Sequence, residues 1–162
     1  MKPPSAAGRR IQCEDLYGRQ GSYDAAEVRF RPAGYGILQH NDRILLSRSR
    51  FTGLWDFPGG GVEPFELLGE GMAREFFEET NLKVAAGEVV HVAEGYIAMF
   101  GHPYHSLRFY FRCHLIAGQA PDDAAADPGE ITDLRWWNPD ELAALTMHAS
   151  DRVALQQFFD HR

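Results

Sequence analysis

The chain has 162 residues, of which 44% are hydrophobic, so we predict one domain with its own hydrophobic core. The formal net charge of -7 disfavours stable nucleic-acid binding and attraction to anionic membranes, both of which favour basic proteins. Two cysteines far apart and no long apolar run argue against a disulfide framework, a zinc site, secretion and membrane spanning, which makes a reduced, cytoplasmic protein the expectation.

The first predicted segment is a flexible lead-in over residues 1–10, rich in proline, glycine and arginine, before a single domain over residues 11–162. Apolar runs with turn residues between them predict four short strands at residues 28–30, 34–38, 43–47 and 54–57. The sequence His40-Asn41-Asp42 predicts a hairpin turn between the second and third of these strands.

The second half of the chain predicts more strands and two closing helices. Residues 107–115 alternate apolar and polar side chains, so one face of that strand should lie in a core. Further elements are predicted as an extended stretch at 89–99, a loop at 118–129, a strand at 131–137, and helices at 139–145 and 150–159 with Asn138 and Ser150 as caps. Strands interleaved with few helices indicate an α/β protein with a mixed sheet.

Residues 68–80 predict an amphipathic helix with an acidic face. Glu75, Glu78 and Glu79 fall within about a third of a turn of one another. They lie in the last two turns, where the helix dipole costs each carboxylate roughly 0.3 to 1 kcal/mol. One interpretation is a solvated acidic surface. The other is a site for Mg²⁺ or Mn²⁺, because clustered hard oxygens turn this local penalty into metal binding.

A run of three glycines, Gly59, Gly60 and Gly61, precedes this helix. Glycine adopts backbone angles closed to other residues and allows close approach of a ligand. A glycine run alone is weak evidence for a phosphate site. A glycine turn that leads into a helix with clustered acids is stronger evidence.

Together these segments resemble the Nudix box, GX5EX7REUXEEXGU, where U is a bulky apolar residue. The matching residues are Gly60, Glu66, Arg74, Glu75, Phe76, Glu78, Glu79 and Leu82. Asn81 stands where the motif has glycine, and it should still end the helix because asparagine tolerates the left-handed conformation. The resemblance implies a Nudix-type α/β/α sandwich with a mixed sheet, the box helix packing on one face.

The resemblance also implies an activity and a metal. Proteins of this family hydrolyse a phosphoanhydride bond in a nucleoside diphosphate linked to a moiety X. Residues matching Glu75, Glu78 and Glu79, with the backbone carbonyl of Gly59, would hold Mg²⁺, for which Mn²⁺ can substitute. Water would attack phosphorus while the metal neutralises phosphate charge.

Three further residues are candidates for catalysis. Arg74 would orient the acidic residues and Glu66 would pair with it, although an ordinary helix ion pair is an equal alternative. The general base is left open between Glu78, Glu79 and the downstream Glu130, whose alternative is a solvated loop residue.

Four residues are candidates for substrate binding. Arg48 and Arg50 precede the glycine run and are positioned in sequence to meet phosphates, although such arginines are usually solvated. Phe100 and Tyr104 are candidates for stacking on a nucleobase, against the alternative of local packing.

Two other functions compete with hydrolysis. One is a Nudix-fold nucleotide-binding or sensor module that has lost catalysis, which the intact acidic cluster disfavours. The other is the diphosphate isomerase branch of the superfamily, which needs a catalytic cysteine, whereas Cys113 is more simply a core residue. A small nucleotide is the expected partner. The identity of X and homodimer formation stay open.

Overall fold

The structure is a computed structural model that describes residues 8–160. Its elements in chain order are β1 (Arg10–Asp15), β2 (Gln20–Asp24), β3 (Arg29–His40), β4 (Arg43–Ser49), β5 (Trp55–Asp56), β6 (Gly59–Gly61), α1 (Leu68–Thr80), β7 (Val84–Met99), β8 (His102–Leu115), β9 (Ile131–Trp137), α2 (Pro139–Leu142) and α3 (Ala149–Asp160). Single-turn 3-10 helices lie at Ala25–Glu27 and Pro121–Asp123.

The described residues form two compact units. The first comprises the chain up to Arg31 together with Glu94–Leu107. In it β1 runs antiparallel to β2 and parallel to the end of β7, with Glu14 opposite Ile97. The parallel pair makes the sheet mixed, as predicted.

Neither β1 nor β2 is among the strands predicted from the sequence. Both strands are short and contain few apolar residues, although Ile11 and Cys13 of β1 do alternate with polar residues as in a half-buried strand. Strand β1 begins at Arg10, the last residue of the predicted lead-in, and residues 1–7 lie outside the described residues.

The second unit comprises Pro32–Ala93 and the described chain from residue 108 onward. Its strand order is β7-β8-β3-β4-β5, with β6 pairing β3 and β9 pairing β4. The β4–β9 pairing is antiparallel, with Ile44 opposite Trp137. Strands β3, β7 and β8 each contribute residues to both units.

Helices cover both faces of the sheet in this unit. Because successive residues of a strand point to opposite faces, Leu45 of β4 faces one way while Ile44 and Leu46 face the other. The core on the Leu45 side consists of Leu38, Leu45, Met72, Phe76, Leu82, Val84, Phe111 and Cys113, and includes α1. The opposite core consists of Ile37, Ile44, Leu46, Phe57, Tyr110, Trp137, Leu142, Ala154, Leu155 and Phe158, and includes α3. The predicted α/β class with a mixed sheet is confirmed.

Several sequence predictions need correction. Tyr110, which by the alternation of residues 107–115 shares the polar face of its strand with Arg108 and Arg112, is fully buried, because both faces of β8 are covered. The two strands predicted over residues 28–38 are one strand, β3. Helix α2 ends at Leu142 instead of residue 145, and α3 begins at Ala149, so Ser150 lies within the helix and does not precede it.

Other predictions agree with the structure. The bounds of α1 and β9 are those predicted. Both cysteines are buried and neither is in a disulfide, as the assignment of Cys113 to the core requires. In the part of the chain that the structure describes, no helix is long and apolar enough to span a membrane.

Candidate active site

The glycine run forms strand β6, which lies between β3 and α1. Gly59 pairs with Tyr35 and Gly60 with Gly34 in an antiparallel ladder. Gly59 has a φ of 145°, and a Cβ there would collide with the Gly34 carbonyl and lie 2.7 Å from the Tyr35 Cα. A Cβ on Gly60 would lie 2.6 Å from a carboxylate oxygen of Glu75. The absence of side chains therefore lets the backbone meet the carboxylates of the helix.

Helix α1 carries the acidic residues and ends as predicted. Asn81 adopts the left-handed conformation with a φ of 60°, and its N–H donates to the Phe77 carbonyl at 2.8 Å. At the other end the Leu67 side chain provides no cap, but the backbone N–H of Leu67 donates to the Glu70 carboxylate at 2.9 Å. Asn81 therefore ends the helix in the conformation expected of the motif glycine, and Glu70 supplies a cap where the Leu67 side chain cannot.

Arg74 is the centre of an ion-pair network. Its guanidinium donates twice to Glu66, at 2.6 and 2.9 Å, and once to Glu75, at 2.8 Å. It also donates to the Gly61 carbonyl at 3.2 Å and reaches Glu78 at 3.4 Å. A fork with two parallel bonds fixes orientation as well as charge. The predicted pairing of Arg74 with Glu66 is present, and their roles in catalysis stay a prediction.

The network changes the acidity of Glu66. The hydrogen bonds from Arg74, with a further one from the Glu63 N–H at 3.0 Å, lower the pKa of Glu66 to about 2. Glu66 raises the pKa of Arg74 in turn. Both groups are therefore charged at any physiological pH, and they tie the loop before α1 to the middle of the helix.

Glu79 is the most strongly desolvated of the predicted metal ligands. Burial raises its pKa from the ordinary 4.5 to about 8, and the nearby carboxylates of Glu130 and Glu75 add to that rise. One of its oxygens accepts the Gly59 N–H at 3.2 Å. Burial also raises the pKa of Glu75. A carboxylate crowded by like charges away from water is one that a cation would stabilise.

A cavity of about 150 Å³ opens beside Glu79. It is lined by Tyr35, Ser47, Ser49, Phe51, Asp56, Phe57, Gly59, Glu79, Glu130 and Ile131. The structure therefore brings Glu130, distant in sequence, to the same cavity as Glu79 and Gly59. Its role as general base stays a prediction.

Sequence reasoning did not identify Asp56, which also lines the cavity. Burial and the neighbouring charge of Asp151 raise its pKa well above the usual range. Asp151 accepts a hydrogen bond from the Tyr110 hydroxyl at 2.7 Å, and His148 lies 3.9 Å from Asp56. The available signal was an acid flanked by Trp55 and Phe57 next to the glycine run.

The four predicted substrate-binding residues are found in different surroundings. Arg48 donates to the Gly53 carbonyl at 2.9 Å, and Arg50 donates to the Pro128 carbonyl. Both guanidinium groups therefore contact backbone oxygens. Phe100 is 74% exposed in the turn between β7 and β8, and Tyr104 is half-buried on β8. These two aromatic residues belong to the first unit, whereas the glutamates belong to the second.

The acidic residues fit a divalent cation by their chemistry. Within residues 8–160, no three acidic, histidine or cysteine side chains converge closely enough to ligate one ion, and Arg74 contacts both Glu75 and Glu78. The donors are nevertheless the carboxylate and carbonyl oxygens that Mg²⁺ and Mn²⁺ prefer. Gly60 keeps the space beside Glu75 open, and Glu79 is buried among negative charges.

The raised pKa of Glu79 predicts how the metal-free protein responds to pH. Its stabilising effect is full below the unfolded-state pKa near 4.5 and is lost as the pH rises through about 8, because only the fold retains the proton there. We expect Glu79 to reduce the free energy of unfolding by about 2 kcal/mol between pH 5 and pH 7. Urea denaturation in EDTA measures this change.

Glu79→Gln is the matched control for that measurement, because glutamine has the same shape and does not titrate. The variant should show a shallower decline of stability with pH than the wild-type protein. Identical pH profiles for the two proteins would contradict the assignment of a raised pKa to Glu79.

Several known proteins have sequences similar to that of this chain. The chain is 32% identical over 107 residues to a putative 8-oxo-dGTP diphosphatase from Bacillus subtilis (strain 168), an alignment that covers 65% of this chain and 64% of the relative. It is 34% identical over 125 residues to the NAD-capped RNA hydrolase NudC of Stutzerimonas stutzeri (strain A1501), covering 75% of this chain and 41% of that protein. The chain thus spans less than two thirds of the length of either relative.

A solved structure shares the fold. The crystal structure of the MutT protein from Methanosarcina mazei Go1 matches with a TM-score of 0.65 at 23% identity, over 83% of this chain and 96% of that one. The family model described as NUDIX domain matches residues 30–158, a range that includes β6, α1 and the cavity. The chain therefore belongs to the NUDIX domain family.

Proposed function

We propose that this protein is a divalent-metal-dependent hydrolase that cleaves a phosphoanhydride bond in a nucleoside diphosphate linked to a moiety X. The observation that carries the proposal is the half-buried carboxylate of Glu79, which accepts the Gly59 N–H at 3.2 Å beside a cavity that Glu130 also lines. The two curated relatives have names that describe the hydrolysis of nucleotide compounds.

The metal-binding residues in this proposal are Glu75, Glu78, Glu79 and the Gly59 carbonyl. When bound, Mg²⁺ or Mn²⁺ neutralises phosphate charge and makes water more acidic. Arg74 keeps the carboxylates of Glu75 and Glu78 on one side of the helix while Glu66 fixes the guanidinium. Positioning and electrostatics would then supply most of the acceleration.

Glu130 is our choice of general base. Two glutamates line the cavity, and one of them, Glu79, already accepts the Gly59 N–H and is a proposed ligand. Glu130 contributes no ligand in this scheme and faces the same space. It is therefore placed to accept a proton from the attacking water.

The proposed substrate is a small nucleotide. Among residues 8–160, the cavity wall carries the carboxylates of Asp56, Glu79 and Glu130 and no cationic side chain. A phosphate group would be repelled there without a metal ion. The metal ion would therefore take part in substrate binding as well as in hydrolysis. The uncharged part of the cavity wall would contact the base or the sugar.

A panel of substrates tests the proposal. The protein is incubated with Mg²⁺ and with nucleoside triphosphates, 8-oxo-dGTP, NAD, ADP-ribose, a nucleotide sugar and a dinucleoside polyphosphate, and the products are separated by chromatography. We expect cleavage of at least one compound at an anhydride bond, and its loss in EDTA. Binding without cleavage in both Mg²⁺ and Mn²⁺ would support a sensor module in place of an enzyme.

Arg74→Lys is expected to weaken the site without unfolding the protein. Lysine keeps the charge but cannot form the two parallel bonds to Glu66 while also reaching Glu75. We expect kcat to fall about tenfold and the Mg²⁺ concentration for half-maximal rate to rise, as for other residues that orient ligands. Steady-state kinetics over a Mg²⁺ titration measures both quantities.

Arg135→Lys is the control for this substitution. Arg135 is exposed, and its guanidinium contacts the Glu141 carboxylate at 3.3 Å and the Trp137 ring at 4.1 Å from the centroid, away from the proposed metal ligands. Its replacement should leave kcat and the Mg²⁺ dependence unchanged. Equal kinetics for Arg74→Lys and the wild-type enzyme would remove Arg74 from the proposed machinery.

A further inference from the structure

The loop between β8 and β9, residues 116–130, is attached to the C-terminal end of α1. The N–H of Ala125 donates to the Thr80 carbonyl at 2.9 Å, and the N–H of Asp127 donates to the Glu79 carbonyl at 3.1 Å. These carbonyls belong to the last turn of the helix, which has no intrahelical donors for them. The loop thus supplies partners that the helix end lacks.

The side chain of Asn81 adds a third attachment. Its amide Nδ2 donates to the carbonyl of Asp123 at 3.2 Å, across 42 positions of sequence. The motif glycine has no side chain and could not make this bond. Asparagine therefore keeps the left-handed helix end and adds a donor at the same place.

The far end of the loop carries Glu130 and is also fixed. The N–H of Arg50 donates to the Glu130 carbonyl at 3.0 Å, and the Arg50 guanidinium donates to the Pro128 carbonyl. The Asp127 carboxylate accepts the Gly129 N–H at 2.9 Å. The first part of the loop is also bound to Lys83, whose N–H donates to the Gln119 side chain at 3.0 Å. Short-range hydrogen bonds around the single-turn 3-10 helix Pro121–Asp123 hold the middle of the loop, and the bonds to α1 fix where that middle part lies.

We propose that Asn81 is a positioning residue that fastens the β8–β9 loop to the end of α1 and so holds Glu130 beside Glu79. The catalytic consequence rests on the hydrolase function proposed above. A loop of this length loses considerable conformational entropy when it is ordered, and the attachments to α1 offset that loss. A small displacement of the loop would move the proposed base relative to the proposed metal ligands, and misplacement of this kind lowers turnover.

Glu130 and Glu79 line the same cavity, together with Gly59. A loosened loop would move the Glu130 carboxylate relative to the other two residues.

Asn81→Gly tests the proposal, because glycine preserves the left-handed helix end and deletes only the amide. We expect the amide hydrogens of Ala125 and Asp127 to exchange about two- to tenfold faster with deuterium, the range that one hydrogen bond typically accounts for. We expect kcat to fall by a similar factor with the Mg²⁺ half-saturation unchanged, because the glutamates stay on the helix. The unfolding midpoint should change little, because the strain that glycine relieves in this conformation offsets the lost hydrogen bond.

Two further variants sharpen the test. Asn81→Asp keeps the tolerance for the left-handed conformation but replaces the donor by a carboxylate, so it should loosen the loop at least as much. Asn41→Gly is the matched control, because Asn41 is also left-handed, with a φ of 47°, and lies in the β3–β4 turn. It should leave the exchange of Ala125 and Asp127 unchanged.

Each outcome decides the proposal. Unchanged exchange in Asn81→Gly would overturn the attachment. Faster exchange with unchanged kcat would overturn the positioning of Glu130, and a lowered unfolding midpoint would reduce Asn81 to a residue of general stability. Hydrogen exchange is measured without metal or substrate, so the attachment is tested even in a protein that cleaves no nucleotide.

Discussion

Glu79→Gln is expected to lower kcat by about a thousandfold, since it removes a charged metal ligand from a site that works by charge stabilisation. The glutamine keeps the volume of the side chain and can still accept the Gly59 N–H, which Glu79 accepts at 3.2 Å. The rate loss would therefore report the missing negative charge. Steady-state kinetics at saturating substrate and Mg²⁺, with the compound that the panel identifies, gives the measurement.

The stability of this variant separates a lost ligand from a damaged fold. Burial raises the pKa of Glu79 to about 8. Above that pH the carboxylate is charged in a site that disfavours charge, so replacing it by a neutral glutamine should increase the free energy of unfolding of the metal-free protein. Glu79→Gln should consequently unfold at a higher urea concentration than the wild-type protein in EDTA at pH 9. Addition of Mg²⁺ should stabilise the wild-type protein more than the variant.

Glu63→Gln is the control for activity, because Glu63 is exposed in the segment between β6 and α1. Its kcat should equal that of the wild-type enzyme. Hydrolysis by Glu79→Gln at the wild-type rate would exclude Glu79 from the metal site and the mechanism.

Gly59→Ala is expected to reduce the free energy of unfolding by about 3 to 5 kcal/mol, the sum of backbone strain and steric overlap. The φ of 145° at Gly59 is one that residues with a Cβ rarely adopt. The added methyl would also meet the Gly34 carbonyl and the Tyr35 Cα, which are backbone atoms of β3 and cannot rotate away. Urea denaturation followed by circular dichroism measures the loss.

Gly95→Ala is the matched control, since a Cβ at Gly95 would have no heavy atom within 4 Å. Its stability should stay within about 0.5 kcal/mol of wild type. Where Gly59→Ala does not fold, Gly60→Ala gives the comparison, because its obstacle is the movable end of Glu75. A loss below about 1 kcal/mol in Gly59→Ala would contradict the strain argument.

The sequence by itself determined the elements whose signals are local. The apolar stripe of α1 has the period of a helix, so its bounds, Leu68–Thr80, followed from residues three and four apart. The pairing of Arg74 with Glu66 and the left-handed end at Asn81 also depend on residues within one short segment. Glu66 precedes the helix, so its pairing with Arg74 was implied by the resemblance to the Nudix box and not by helix geometry.

Tertiary structure alone decided the contacts between distant segments. The pairing partners of β1 and β2 come from the fold, and Tyr110 is buried because α3 covers the face that alternation marked as polar. Asp56 became part of the site through the cavity. The hydrogen bond from the Asn81 amide to the Asp123 carbonyl joins residues 42 positions apart, and the local sequence does not predict it. No local sequence periodicity predicts such long-range contacts, because they depend on the order of the strands in the sheet.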